Sequence, residues 1–193
     1  MFSDLSAFIE AIGLLGITAI VFAESGLFFG FFFPGDSLLF TAGFLASQGS
    51  YGIVPLIFLV TIAAVAGDSA GYWFGAKVGP RIFTRPDSFW FSHKRVEDAH
   101  SFFERNGAKS IVLARFIPAV RTFTPIIAGV AGMRYGTFIA YNVIGGILWG
   151  SGVPLAGYFL GATVPGIDHY LLPIVLLIVV ISFLPLIKEF SRK

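Results

Sequence analysis

Residues 110–133 read SIVLARFIPAVRTFTPIIAGVAGM. Apart from two arginines the stretch is apolar, yet Pro118 and Pro125 each remove a backbone donor from any helix drawn through it. On one straight helix Arg115 and Arg121 would sit about 9 Å apart on different faces. A turn at Pro118 instead lets both guanidiniums face one cavity, so the stretch reads as a re-entrant helical hairpin. Residues 32–49, FFPGDSLLFTAGFLASQG, have the same character: too short for a span and broken at Pro34-Gly35. Broken helices at membrane depth persist only where protein or a water-filled cavity covers the freed backbone groups. Two re-entrant hairpins are therefore expected, with tips at Pro34, Gly35 and Pro118.

The rest of the chain supplies the bilayer. Of 193 residues 56% are hydrophobic and 12% charged, with 23 Phe and 23 Gly, a composition far from that of a soluble domain. Four segments, near 11–33, 53–76, 135–162 and 167–187, approach the roughly 20 apolar residues a spanning helix needs. The expected fold is an all-α integral membrane protein of about four transmembrane helices plus the two hairpins. The start, MFSDLSAFIEAIGLLG, is acidic and runs into a long apolar segment, unlike a cleaved signal, so the N-terminus is expected to be retained. With no cysteine there is no disulfide, thiolate metal site or thiol nucleophile. A net charge of +2 gives no reason to expect a nucleic-acid partner.

Between the hairpins lies the one extended polar stretch. Ser92 is placed to cap a helix there, Val96, Ala99 and Phe103 share a face, and Gly107 is a natural stop, which together suggest an interfacial amphipathic helix. Lys and Arg cluster around this linker and at the C-terminus, whereas residues 1–76 have neither. The positive-inside rule puts linker and both termini in the cytoplasm, and the two hairpins then dip in from opposite faces. An internal repeat agrees. AGFLASQGSYG (42–52) resembles AGVAGMRYG (128–136), GYWFG (71–75) recurs as GYFLG (157–161), and 28 residues separate Gly43 from Gly71 and Gly129 from Gly157. The chain divides into repeat 1 (about 32–77), linker (78–109), repeat 2 (110–162) and a last span (167–187), a single membrane domain with an inverted-topology repeat. Transporters of that kind bind substrate near the midplane, where the repeats meet.

Five charges fall within apolar segments: Glu24, Asp36, Asp68, Arg115 and Arg121. Each costs roughly 2.5 to 3.5 kcal/mol at a helix centre on insertion scales, so each needs a partner or a function. Arginine is forked and always charged, which suits phosphate, while a carboxylate in poorly hydrated surroundings can carry a proton. Arg115 and Arg121 are therefore the expected substrate contacts, and Glu24, Asp36 and Asp68 the proton-coupling group, with Asp68 equally able to bond a neighbouring helix. The expected partners are the lipid bilayer, an anionic lipid headgroup and protons, with no cofactor; a homo-oligomer stays open. The same charges would also serve a proton-driven small-molecule or ion exchanger. If they only pair internally, the chain would instead tolerate a swap such as Glu24→Arg with Arg115→Glu.

His93, His100 and His169 sit on the linker and in a short loop, where solvated residues are expected rather than a metal site. The Gly-xxx-Gly pairs at 26/30, 71/75, 132/136, 146/150 and 157/161 mean close helix packing. Lys77 with Arg85-Pro86 is similar to the basic motif of membrane lipid phosphatases, but no histidine stands where their nucleophile would, so no enzyme is expected.

Taken in order, Glu24, FPGD (33–36), GDSAGYWFG (67–75), ARFIPAVRT (114–122), AGVAGM and GYFLG resemble the DedA family of bacterial inner-membrane proteins, relatives of the eukaryotic SNARE-associated Golgi (VTT-domain) proteins. The resemblance covers roughly residues 20–165. It implies lipid translocation: recycling of undecaprenyl phosphate with dependence on the proton motive force in bacterial members, phospholipid scrambling in eukaryotic relatives. The family's membrane-embedded acids would fall here on Glu24 and Asp36, and its arginines on Arg115 and Arg121.

Overall fold

A computed structural model describes residues 2–26, 35–82, 101, 103–164 and 173–174. Every regular element among the described residues is an α-helix: α1 (Phe2–Gly26), α2 (Gly35–Ser47), α3 (Ile53–Ile82), α4 (Lys109–Ala114), α5 (Pro118–Val130) and α6 (Tyr135–Thr163). The stretches Ile53–Val78 of α3 and Tyr135–Thr163 of α6 are long and apolar enough to cross a membrane, with mean hydropathies of 2.0 and 1.5. They coincide with two of the four expected spans. A third corresponds in part to α1, whose helix is broken at Gly13 (φ 57°) and whose apolar portion is Ile12–Gly26. The expected 167–187 span, Pro34, Ser92 and the three histidines lie outside the described residues, residues 173–174 excepted.

Helices α2 and α5 are 13 residues each, about 20 Å, too short to span unaided. Pro118 is the first residue of α5, after an extended Ile117, the position where its missing N–H costs nothing. Both helices stop the same way. After α2, Gly49 (φ 89°) donates to Ala46 O and Ser50 to Leu45 O; after α5, Gly132 (φ 70°) donates to Gly129 O and Met133 to Ala128 O. These are two Schellman motifs, and the left-handed residue each requires is why glycine stands there. Gly132 and Gly136 thus depart from the packing expected of a Gly-xxx-Gly pair: a Cβ at either would meet nothing within 4 Å.

The short helices pack across the long ones, α2 on α6 and α5 on α3, while α1 lies along α3. Backbones touch at the crossings. A Cβ on Gly43 would meet Pro154 O and one on Gly157 would meet Phe40 O; likewise one on Gly129 would meet Tyr72 O and one on Gly75 Ile126 O, all within 2.1 Å. No side chain fits at these four positions. The crossing glycines are 43 with 157 and 129 with 75, so the long-helix partner of Gly157 is Gly75, one helical turn beyond the Gly71 that sequence spacing suggests. Gly71 meets its neighbours at ordinary distance, 3.5 Å or more.

Apolar side chains fill the space around the crossings. Ile17, Val21, Leu39, Leu56, Val60 and Trp149 form one buried cluster, and Tyr72, Ile111, Ala128 and Phe138 another, with the Tyr72 and Phe138 rings stacked at 4.6 Å.

Candidate functional site

All five charges expected at membrane depth are on described helices or turns, and they divide into two groups. Glu24 comes from the last turn of α1, Asp36 from the first turn of α2 and Arg121 from the first turn of α5. Arg121 reaches both acids with different nitrogens: Nη2 donates to Glu24 Oε1 at 2.5 Å and Nη1 to Asp36 Oδ1 at 3.0 Å. Trp149 of α6 adds a third support, its Nε1–H donating to the same Asp36 oxygen at 2.8 Å while its ring lies 4.5 Å from the Arg121 guanidinium carbon. A cation over an indole face is attracted by the ring quadrupole, most strongly where water is excluded.

This fork depends on Gly35. A Cβ there would fall 1.8 Å from Glu24 Oε2, so the carboxylate rests on the bare backbone at the start of α2. The sequence assigns Gly35 to a hairpin tip; the structure adds that it makes room for an acid. Glu24 and Arg121 are 3% and 4% exposed, whereas the Asp36 side chain keeps 20% of its surface open. Within the group, Asp36 is the member in touch with the outside.

The second group centres on Arg115, in the turn after α4. Its Nη2 donates to Asp68 Oδ2 of α3 and, at 2.6 Å, to Asn142 Oδ1 of α6. Asn142 is fully buried and its amide donates in turn to Val65 O of α3 at 3.1 Å. Gly145 and Gly146 let the guanidinium lie against α6, since a Cβ on either would come within 3.4 Å of it. Arg115 and Asp68 are 2% and 3% exposed. Three buried polar atoms have no protein partner among the described residues: Glu24 Oε2, Asp68 Oδ1 and Arg115 Nη1.

Arg115 and Arg121 therefore keep separate company, each with its own acids and its own partner on α6. Asp68, which sequence leaves between two roles, belongs to Arg115. Two members escaped sequence reasoning, Asn142 and Trp149, though both carry a signal. Asn142 is a lone amide in an apolar span, and Trp149 sits mid-span rather than at an interface where tryptophan is usual. Seven residues apart, they share a helix face with Gly145 and Gly146 between them. No groups of three or more acidic, histidine or cysteine side chains suited to a metal occur among the described residues.

Residues 33–159 match the VTT domain. A membrane protein of Mycobacterium leprae is 45% identical over 178 residues, 92% of this chain and 79% of the relative. Protein DedA of Escherichia coli K12 is 43% identical over 175 residues, 90% and 80% of the two chains, and the inner membrane protein YqjA of the same strain is 36% identical over 170 residues, 82% and 76%. No solved structure matches.

Proposed function

From a chain that belongs to the DedA family of VTT-domain membrane proteins, we infer that its work is to move an anionic lipid with a phosphate headgroup, undecaprenyl phosphate or a close relative, across the bacterial inner membrane at the expense of the proton gradient. The observation that carries this reading is the Arg121 fork: one buried guanidinium holding two carboxylates with separate nitrogens. A phosphate offers the same two acceptors to the same fork. When a headgroup takes Arg121, the displaced Glu24 and Asp36 lose their counter-ion and a proton can replace it, so anion and proton binding reinforce each other, as linkage requires. Asp36, partly open, is the route by which proton and headgroup reach Arg121. Arg115, Asp68 and Asn142 join α3, the α4–α5 turn and α6, and we assign them the fixing of that turn.

The same reading takes α2 and the α4–α5 unit as re-entrant segments of an inverted repeat, entering from opposite faces with both termini cytoplasmic. The matched Schellman stops and the reciprocal glycine crossings support it. Cysteines placed at Ser92 and Ser191 of this cysteine-free chain should resist an impermeant thiol reagent in intact cells, and one at Ser50 should react.

Reconstitution into vesicles with a sidedness assay for polyprenyl phosphate and for ordinary phospholipid tests the function. Movement of polyprenyl phosphate that rises with an imposed pH gradient is expected. Solute movement with no change in lipid sidedness would replace the reading with that of an exchanger, and gradient-independent movement of both lipids with that of a scramblase. That each of the five charges has an oppositely charged neighbour also favours a purely structural role. That role predicts full activity in Asp68→Arg with Arg115→Asp and in Glu24→Arg with Arg121→Glu, because the structure pairs Glu24 with Arg121.

A further inference from the structure

Outside both charge groups, a groove of about 240 Å³ runs between α4 and α5, where the three-residue turn 115–117 folds one helix back beside the other. Its lining is graded. Along the chain Asn106, Lys109, Ser110 and Thr124 lie away from the turn, and Leu113, Ile117 and Val120 next to it. The two hydroxyls already donate to backbone carbonyls, Ser110 to Gly107 and Thr124 to Val120, each at 2.7 Å. Lys109 is exposed and has no carboxylate partner among the described residues, so its ammonium is a donor available to a ligand. Leu113, Ile117 and Val120 are 65%, 38% and 44% exposed. The groove thus offers a cation and a polar rim at one end and a bare apolar trough at the other.

We propose that this groove binds one chain of a phosphate-headgroup lipid, the chain in the Leu113–Ile117–Val120 trough and the phosphate on Lys109, as the site where lipid gains access to the protein from the side. The match is one of chemistry and order. A bilayer covers any apolar face with tails, but a concave face ending in a lone cation discriminates by headgroup, and a lysine near the membrane surface favours an anionic one. The long lysine stem lets the ammonium reach the headgroup level while its methylenes stay with the chain. The position suits the proposed transport, on which this inference rests: Val120 and Thr124 flank Arg121 in α5, and Leu113 and Ile117 flank Arg115. A lipid held here has its chain along the same two helices and turn that carry the arginines.

The test uses the full chain in nanodiscs of phosphatidylglycerol and phosphatidylcholine at one to four, with a benzophenone amino acid at Leu113 and, as a control, at Phe58, 64% exposed on α3. After irradiation the adducts are weighed. At Leu113, phosphatidylglycerol adducts are expected about fivefold above the bulk ratio, and at Phe58 near it. Lys109→Gln should bring the Leu113 ratio down to the Phe58 value. A bulk ratio at Leu113, an enrichment that survives Lys109→Gln, or adducts to the chain itself or to a second copy would each overturn the proposal. Its failure is separable from that of the transport reading. Enrichment in a protein that moves no lipid removes transport and leaves the groove; lipid movement without enrichment removes the groove alone.

Discussion

Arg115 and Arg121 lie six residues apart on one turn and the helix that follows it, yet their surroundings differ in kind. Arg115 spends a single nitrogen, Nη2, on both Asp68 and Asn142, one carboxylate and one neutral amide, and the assembly is sealed. Arg121 spends two nitrogens on two carboxylates, leans on an indole, and touches the outside through Asp36. One group is balanced and closed; the other has an acid in excess and one open member. Burying a balanced pair contributes little net stability but makes each partner indispensable to the other, which is what a fastening requires. An excess carboxylate gains by taking up a proton or releasing its arginine to another anion, which is what exchange requires.

The largest effect should come from breaking the closed group. Asp68→Leu alone leaves Arg115 buried and uncompensated, and should lower stability by about 3–5 kcal/mol. Adding Arg115→Leu removes the stranded charge and should recover most of it, as read by thermal unfolding of the purified protein in detergent, with transport partly restored. The corresponding neutral set at Glu24, Asp36 and Arg121 should fold and transport nothing. If the paired substitution at 68 and 115 abolishes transport in a well-folded protein, the two groups do not differ as drawn.

Lysine scanning sharpens the same contrast. Lysine brings one ammonium and no fork. At 115 a single donor already serves both partners, so Arg115→Lys should keep transport within about threefold of the parent. At 121 one of two charge-assisted bonds is lost, which corresponds to a fall of about ten- to a hundredfold. Equal losses at the two positions would erase the distinction. Amide substitutions separate the acids next: Glu24→Gln and Asp36→Asn should fold and bind lipid but lose stimulation by a pH gradient, whereas Asp68→Asn should keep it. Gradient-driven transport in both amide variants would take Glu24 and Asp36 out of the proton step.

Much of this was legible in the chain and some was not, for identifiable reasons. Proline at 118 and charges in apolar surroundings are local features, and they disclosed the turn and all five ionisable members. The long helices followed from length and hydropathy. The pairing was hidden because it is a matter of three-dimensional register: Glu24 and Arg121 are 97 residues apart, and nothing along the chain says that Asp68 faces Arg115 rather than Arg121. The repeat misled for a related reason. The glycine spacing of 28 holds in both halves, but in the first half the crossing glycine is Gly75, 32 residues after Gly43, because the short helix there runs on further past its glycine and the connection to the long helix is one residue longer. Gly35 stands out in the sequence only as part of a helix break, while its weight lies in the missing side chain beneath Glu24.

The smallest expected effect concerns Trp149, and it tests how the open group is held. The indole makes two separable contacts, an N–H to Asp36 and a face toward Arg121. Trp149→Phe removes the first and retains an aromatic face. Asp36 then loses a neutral donor worth about 0.5–1.5 kcal/mol, which should lower transport by roughly two- to tenfold without loss of folded protein. If protons reach the fork through Asp36, the gradient needed for half-maximal transport should shift in this variant, while that of Asn142→Leu, in the closed group, should not. Trp149→Leu also deletes the face and should cost more, by the roughly 0.5–2 kcal/mol of a cation–π contact. If Phe and Leu behave alike, the ring only fills space and Arg121 is held by its two acids alone. If neither variant moves the gradient dependence, Asp36 is not the member through which protons reach the fork, and Glu24 must exchange them without it.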